Sequence, residues 1–348
     1  MLKIAIVAGV DQLTERGTVG RTPAVTALAT ALAAENAVSV YVTGSGSGGD
    51  GVTVPGCRVV RLPKKTDREL VSALADDPPD IVHTHGTNIG ASAAERLGVP
   101  FVRSLHSTDD TEETARVIVP CTSRRSALIA AGIPRHRIDV VPYGVDVDHF
   151  TPDGPAAAKN RRHRIVLVGE LTEGCGFASV VATLPALPDT ELVIAGGPLA
   201  GVKRLRKFVR DVDLTDRVTM TGPITAGERP GLFRSADVAV CLPRPGLFDV
   251  TAVEAMACGA AVVATSGGGL TDTVIDGVTG VLVPPRDPHA LTTALRGLLA
   301  RPALCEQFGA TGRDRAWARY SWSRIAKETL ASYDRAMAAR PKEAVAAG

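Results

Sequence analysis

The chain has 348 residues, 45% hydrophobic and 22% charged, with a formal net charge of +2. That composition excludes a disordered or collagen-like polypeptide, and so balanced a charge gives no bulk electrostatic reason to expect a nucleic-acid partner. The length suits two domains of roughly 150–190 residues each, or one large α/β barrel, and aromatic residues at 4% leave the cores to Val, Ile, Leu and Ala.

No apolar run approaches the roughly 18 residues that suggest a membrane helix, so no integral membrane segment is expected. The opening run Ile4–Ala8, followed by Asp11 and Glu15, is too short for a signal peptide's apolar region and reads as the buried first strand of a cytoplasmic protein. The six cysteines, at 57, 121, 175, 241, 258 and 305, contain no C-x-x-C pair, which argues against a disulfide framework or a zinc ribbon.

Short β-branched runs alternate with Ala-rich stretches along the chain. Met1–Ala8 reads as a strand, Thr22–Glu35 as a helix with Leu28 and Leu32 four apart, Val38–Thr43 as a strand, Arg68–Asp76 as a helix and Asp80–Thr84 as a strand. Phe101–Leu105, Ala115–Cys121, Ser123–Ala131 and Asp139–Val141 continue the alternation, which points to a parallel sheet covered on both faces. Phe150-Thr-Pro-Asp-Gly-Pro and the polar run Lys159–Arg164 then break the pattern. A second series follows, with strands at Arg164–Val168, Glu191–Ala195, Arg217–Thr221, Asp237–Leu242 and Ala261–Thr265. The helical tail from Pro288 offers Trp322 and Tyr333 as packing anchors. The expected architecture is two doubly wound α/β domains, residues 1–150 and 164–320, joined by a linker at 151–163, with a helix and tail at 321–348. The default ligand site is the cleft at the carboxyl ends of their strands.

Gly44-Ser45-Gly46-Ser47-Gly48-Gly49 fits G-x-G-x-x-G but leads into Asp50-Gly-Val-Thr-Val-Pro rather than a helix. A phosphate there would lack the helix amides that bind it, so the segment reads as a loop. His83 and His85 end one strand with both rings on one face, and His106 ends another. With Asp109 or Asp110 they fit a metal site, but polar strand tips lining a cleft, followed by a helix start rich in carboxylates, is the favoured reading. Lys203-Arg-Leu-Arg-Lys207 reads as the solvated face of a helix rather than a phosphate or membrane patch. Asp237–Val283 is the most informative block: a strand, a loop Pro243–Asp249, a helix from Val250 carrying Glu254, another strand, and Gly267-Gly268-Gly269. A glycine loop beside a helix N-terminus suits a diphosphate, and a carboxylate one turn into the helix suits ribose hydroxyls. Thr251-Ala-Val-Glu254 is equally a legitimate capping box.

In order, these residues resemble the family 4 retaining glycosyltransferases of the two-domain GT-B fold. The donor-site block of that family is matched by Ala236-Asp237, Phe248, Glu254-Ala-Met-Ala-Cys-Gly259, Val262-Val-Ala, Gly268-Gly269 and Asp276-Gly-Val-Thr-Gly280-Val-Leu-Val-Pro. Its interdomain signature is matched by Val141-Pro-Tyr-Gly144-Val-Asp146 with Phe150-Thr-Pro. The likeness runs from about residue 2 to Tyr333 and implies two Rossmann-like domains facing across a cleft, with the C-terminal helix packing back. It also implies a nucleoside-diphosphate sugar as co-substrate on the C-terminal domain, a small-molecule acceptor on the N-terminal domain, and neither metal nor cofactor. Carried over by position, the donor side would comprise Gly20, Gly169, Gly176, Gly197, Gly222, Arg244, Asp249, Val250, Thr251, Glu254, Gly268 and Gly269. Glu254 would hold ribose, Gly222 would edge the base, and Gly20 would admit backbone to the phosphates. His106 would meet the transferred sugar, and His83 and His85 would lie on the acceptor side.

The departures cluster in one place. The family carries an arginine after the first C-terminal glycine, a lysine five residues later and an acidic residue eight before the ribose glutamate; here those positions are Glu170, Cys175 and Gly246. Losing one charged transition-state contact commonly costs about 2.7–4 kcal/mol. Arg244 in the same loop is a candidate replacement cation, with Lys203 or Arg204 near it, and Asp249 a replacement carboxylate. Two expectations follow: a retaining transferase with a rebuilt phosphate site, or a non-catalytic or repurposed relative that binds a nucleotide or sugar, or partners an active enzyme.

Overall fold

The computed structural model describes residues 1–13, 24–44, 52–62, 66–86, 89–105, 116–172, 176–242 and 248–339. The chain folds as two compact units: one takes the chain up to Gly144 and resumes at Trp322, and the other takes Val145–Ser321.

The first unit contains β1 (Lys3–Gly9), α1 (Val10–Leu13), α2 (Ala24–Ala33), β2 (Ala37–Thr43), β3 (Arg58–Leu62), α3 (Asp67–Ala75), β4 (Ile81–His85), α4 (Ala91–Arg96), β5 (Phe101–Ser104), β6 (Arg116–Val119), α5 (Thr122–Ala130) and β7 (Ile138–Val140). All seven strands are parallel, in the order β3-β2-β1-β4-β5-β6-β7. Successive residues of β1 alternate between two cores. Ile4 and Ile6 pack with Leu28 and Leu32 of α2, whereas Ala5 and Val7 pack with Leu70 and Leu74 of α3 and Ala93 and Ala94 of α4. Each such aliphatic side chain, once buried, stabilises by about 1.5–3 kcal/mol relative to exposure.

The second unit contains β8 (His163–Val168), α6 (Phe177–Val181), β9 (Thr190–Ala195), α7 (Leu199–Asp211), β10 (Val218–Gly222), α8 (Glu228–Arg234), β11 (Val238–Cys241), α9 (Val250–Ala257), β12 (Ala261–Thr265), α10 (Leu270–Thr273), β13 (Gly280–Val283), α11 (Pro288–Leu299) and α12 (Pro302–Tyr320). Its sheet is also parallel, in the order β10-β9-β8-β11-β12-β13. One core face joins Ile165, Leu167, Leu192 and Val240 to Val202, Leu205 and Val209 of α7 and Leu291, Leu295 and Leu298 of α11. Lys203, Arg204, Arg206, Lys207 and Arg210 occupy the exposed side of α7.

The polar stretch after Phe150 belongs to this unit because its side chains are tied to the sheet. Arg164 is buried, with Nε 2.8 Å from Glu191 and Nη1 2.9 Å from Ser235 Oγ. Asp237 accepts from Lys159 Nζ at 2.8 Å and from Arg164 N at 2.7 Å. The last helix, α13 (Trp322–Ala338), returns to the first unit, where Ile325 and Tyr333 join the core of Ile4 and Ile6 and Trp322 packs against it. Among the described residues no helix is long and apolar enough to cross a membrane.

Candidate functional site

In the second unit the chain runs β8, β9, β10 to one side and returns to β11 on the other, so the strand order reverses between β8 and β11. Loops leaving neighbouring strands in opposite directions open a crevice at their carboxyl ends. Three of these loops are knitted by backbone: Gly169 N donates to Ala195 O at 3.0 Å, Leu171 N to Gly197 O at 2.5 Å, and Gly196 N to Gly222 O at 2.7 Å. Gly196 has φ +128°, and a Cβ there would stand 1.9 Å from Gly169 O, so only glycine permits the approach. Gly176 starts α6, where its Cβ would lie 3.1 Å from Leu242 at the end of β11. Gly222 turns at φ +76° with no atom within 4 Å of where a Cβ would be, which leaves its outer edge open to a flat ligand.

Across the crevice, α9 is capped by Asp249, whose carboxylate accepts from Thr251 N at 2.9 Å. The Thr251–Glu254 capping box allowed by the spacing is not formed, because Thr251 already lies inside the helix. Asp249 thus spends an oxygen on the cap, and Val250 and Thr251 form the first turn behind it, Thr251 being buried. The loop Ser266–Gly269 rests on Phe248: a Cβ on Gly269 would stand 2.8 Å from that ring. Behind them, Tyr320 donates to Asp272 O at 3.1 Å, and Arg315 donates to Thr273 O at 2.8 Å and Asp272 O at 2.7 Å, fixing α10 to α12.

Glu254 stands one turn into α9 and is only 4% exposed. Its Oε2 is ion-paired with Nη2 of Arg229, on α8, which is 0% exposed. Among the described residues the other oxygen, Oε1, has no hydrogen-bond partner. The guanidinium lies 5.8 Å from the centroid of the Phe150 ring. Arg229 belongs to no motif read from the sequence; its one signal is a charged residue three before the apolar pair Leu232-Phe233. Burial pushes the Cys258 thiol to about 12 and Cys241 well above its ordinary value, so neither supplies a thiolate nucleophile at neutral pH.

In the first unit, His83 and His85 do share a face, their rings 4.1 Å apart. His83 does not line an open surface, however: it is 0% exposed, with Nδ1 2.7 Å from Tyr333 Oη and Nε2 2.8 Å from Ser104 Oγ. With both nitrogens engaged it has no lone pair for a metal, and it serves to tie the ends of β4 and β5 to α13. His85 is 3% exposed and borders with it a cavity of about 30 Å³, near one water in size, closed by Trp322 and Thr329 of α13. Burial pushes the Tyr333 hydroxyl far above its ordinary range, keeping it neutral. Tyr333→Phe is expected to cost about 1–3 kcal/mol by leaving a buried imidazole nitrogen unsatisfied. Urea unfolding measures it, and an unchanged midpoint would show that the nitrogen finds another partner.

Gly20, His106, Cys175, Arg244 and Gly246 lie outside the described residues, as do Asp109, Asp110 and the glycine loop after Gly44. Among the described residues no group of three or more His, Cys, Asp or Glu is arranged to hold a metal ion.

Two family models match the chain, Glycosyltransferase Family 4 over residues 23–149 and Glycosyl transferases group 1 over residues 155–315. A D-inositol 3-phosphate glycosyltransferase of Xylanimonas cellulosilytica is 33% identical over 307 residues, covering 75% of this chain and 73% of that protein. The GDP-mannose-dependent alpha-(1-6)-phosphatidylinositol monomannoside mannosyltransferase of Mycolicibacterium smegmatis is 33% identical over 263 residues, 70% of this chain and 66% of that protein. Among solved structures, sucrose-phosphate synthase from Thermosynechococcus elongatus superposes with a TM-score of 0.78 at 24% identity, covering 97% of this chain and all of that one. Anabaena HepE, solved in complex with UDP and glucose, gives 0.76 at 17% identity over 96% of this chain and 100% of its own.

Proposed function

From the chain's membership of the family 4 glycosyltransferases, whose GT-B fold its two units share, we propose that it moves a sugar from a UDP- or GDP-sugar to a small polyhydroxylated acceptor, with retention at the anomeric carbon. The observation that carries this reading is Glu254: a carboxylate one turn into the helix that follows β11, the strand at the switch point, with one oxygen held by Arg229 and the other uncommitted among the described residues. A nucleoside diphosphate offers that oxygen its ribose hydroxyls. The naming of the Mycolicibacterium relative for GDP-mannose and the UDP in HepE favour these two bases, and the relatives named for D-inositol 3-phosphate favour a polyol acceptor.

In the proposed reaction the bond from the anomeric carbon to the diphosphate breaks while the acceptor oxygen bonds to that carbon and passes its proton to the departing phosphate oxygen. Negative charge grows on the departing diphosphate, and groups already aimed at it lower the barrier. Backbone amides of the glycine loop after β12 are the first such groups, since Glu170 replaces the family's arginine and the amides of Gly169 and Leu171 are already bonded to Ala195 O and Gly197 O. We assign the missing cation to Arg244 and expect no metal. Gly222 would edge the base, Gly20 would face the phosphates, and His106 would meet the transferred sugar.

Thermal shift with UDP, GDP, ADP and dTDP tests the reading. At about 100 Kd, binding to the native state adds about 2.7 kcal/mol of stability. One diphosphate is expected to raise the midpoint of the wild type and to do so far less in Glu254→Gln. No shift with any of the four would remove the donor assignment, and Arg244→Ala with unaltered turnover would remove the replacement cation.

A further inference from the structure

We propose that Arg229 is the positioning residue for Glu254: from inside the fold it supplies the counter-charge to the carboxylate and aims its second oxygen at the donor ribose. This rests on the ribose reading of Glu254 and goes beyond it, because Arg229 itself touches no substrate.

A carboxylate that is 4% exposed is costly to ionise alone, since burial favours the protonated acid. A glutamate also has a freely turning terminal torsion, so its oxygens are not aimed by the backbone. The Nη2–Oε2 pair solves both difficulties from beneath, by supplying a charge and by pinning one oxygen. Such a device works only if the cation cannot follow the ligand, and the surroundings of Arg229 hold it still. At the start of α8, Glu228 accepts from both Thr225 N and Thr225 Oγ1 at 2.8 Å. At its end, Arg234 donates to Thr151 O at 2.7 Å and Pro155 O at 3.1 Å. The Phe150 ring flanks the guanidinium, and is itself met edge-on by His149, 5.0 Å away, whose Nε2 donates to Ala226 O at 3.1 Å. Asp146 accepts from Asp148 N and His149 N, both at 3.1 Å, which shapes the turn that delivers His149 and Phe150. The segment Val145–Phe150 thus acquires a function as the clamp on Arg229, far along the chain from the helix it serves.

The test is titration calorimetry with UDP and GDP, and with the 2′,3′-dideoxy form of whichever binds, on wild type, R229K, R229M, E254Q and the double variant R229M/E254Q. R229M and E254Q are each expected to weaken the ribonucleotide about 10-fold, the size of one charge-assisted hydrogen bond. The dideoxy form, having no hydroxyls to lose, should change less than about 2-fold, and R229K should stay within about 3-fold of wild type. The double variant removes both charges of the buried pair and should fold even if R229M does not. Because Arg229 acts through Glu254, it should bind no worse than E254Q alone. If E254Q leaves ribonucleotide and dideoxy affinities alike unchanged, the ribose reading falls and this inference with it. If E254Q loses the ribonucleotide selectively while R229M does not, or if the double variant is clearly weaker than E254Q, the ribose reading stands and the positioning role is overturned.

Discussion

Glu254→Leu is expected to destabilise the second unit by about 3–5 kcal/mol, the usual result of stranding one member of a buried ion pair. Arg229 is 0% exposed, so its charge has no route to water once the carboxylate is gone. For a unit of this size the loss corresponds to a drop of roughly 6–20 °C in melting temperature. Arg229→Met combined with Glu254→Leu should recover most of it, since a well-packed apolar pair often matches a buried ionic one. Scanning calorimetry of the three proteins decides the matter. A single variant losing less than about 1 kcal/mol would mean that the pair contributes little and that Glu254 is set by packing alone.

Gly196→Ala should be nearly as damaging, for a steric reason. The new Cβ would stand 1.9 Å from the carbonyl oxygen of Gly169, a backbone atom that moves only if the loops after β8 and β9 part. Strained φ costs about 1–3 kcal/mol and overpacking about as much again, a total of about 2–6 kcal/mol. Parting the loops also breaks the Gly169–Ala195 and Gly196–Gly222 hydrogen bonds that shape the crevice, so nucleotide binding should vanish along with the stability. Gly222→Ala is the control. It shares a positive φ but meets nothing within 4 Å, so it should cost the strain alone, about 1–3 kcal/mol. Equal losses at the two positions would sink the steric account.

Most strands were legible because their apolar runs carry β-branched residues on both faces, as buried parallel strands must. Ala261–Thr265 is a strand over those very residues, and β8 and β9 begin one residue earlier than expected. Arg58–Leu62 was not read as a strand because it is an edge strand, with a single partner strand among the described residues and only Leu62 buried, so its run mixes polar and apolar residues. Gly267–Gly269 and Glu254 could be read together because the helix that carries Glu254 and the loop after β12 are neighbours in sequence. The cap was not: Asp249 and Thr251 are both eligible, and which one stands where the backbone leaves the helical region is a matter of the preceding turn. His83 shows the wider limit. Alternation puts its ring on the same face as His85, but what covers that face is Tyr333, 250 positions away. Arg229 was invisible for the same reason, since its meaning depends on how α8 packs against α9.

The return of α13 sets an order of events in synthesis. Residues 145–321 are all made after Gly144 and before Trp322, so at ribosomal speeds the first unit waits roughly 10–35 s for its final helix. Through that interval the face of the sheet that Tyr333 and Ile325 will cover stands open, with Ile6 and His83 beneath it. The second unit, all of whose described residues come from Val145–Ser321, can close first. The nascent chain therefore emerges with its earliest segment finished last, and that apolar strip faces water until the helix arrives.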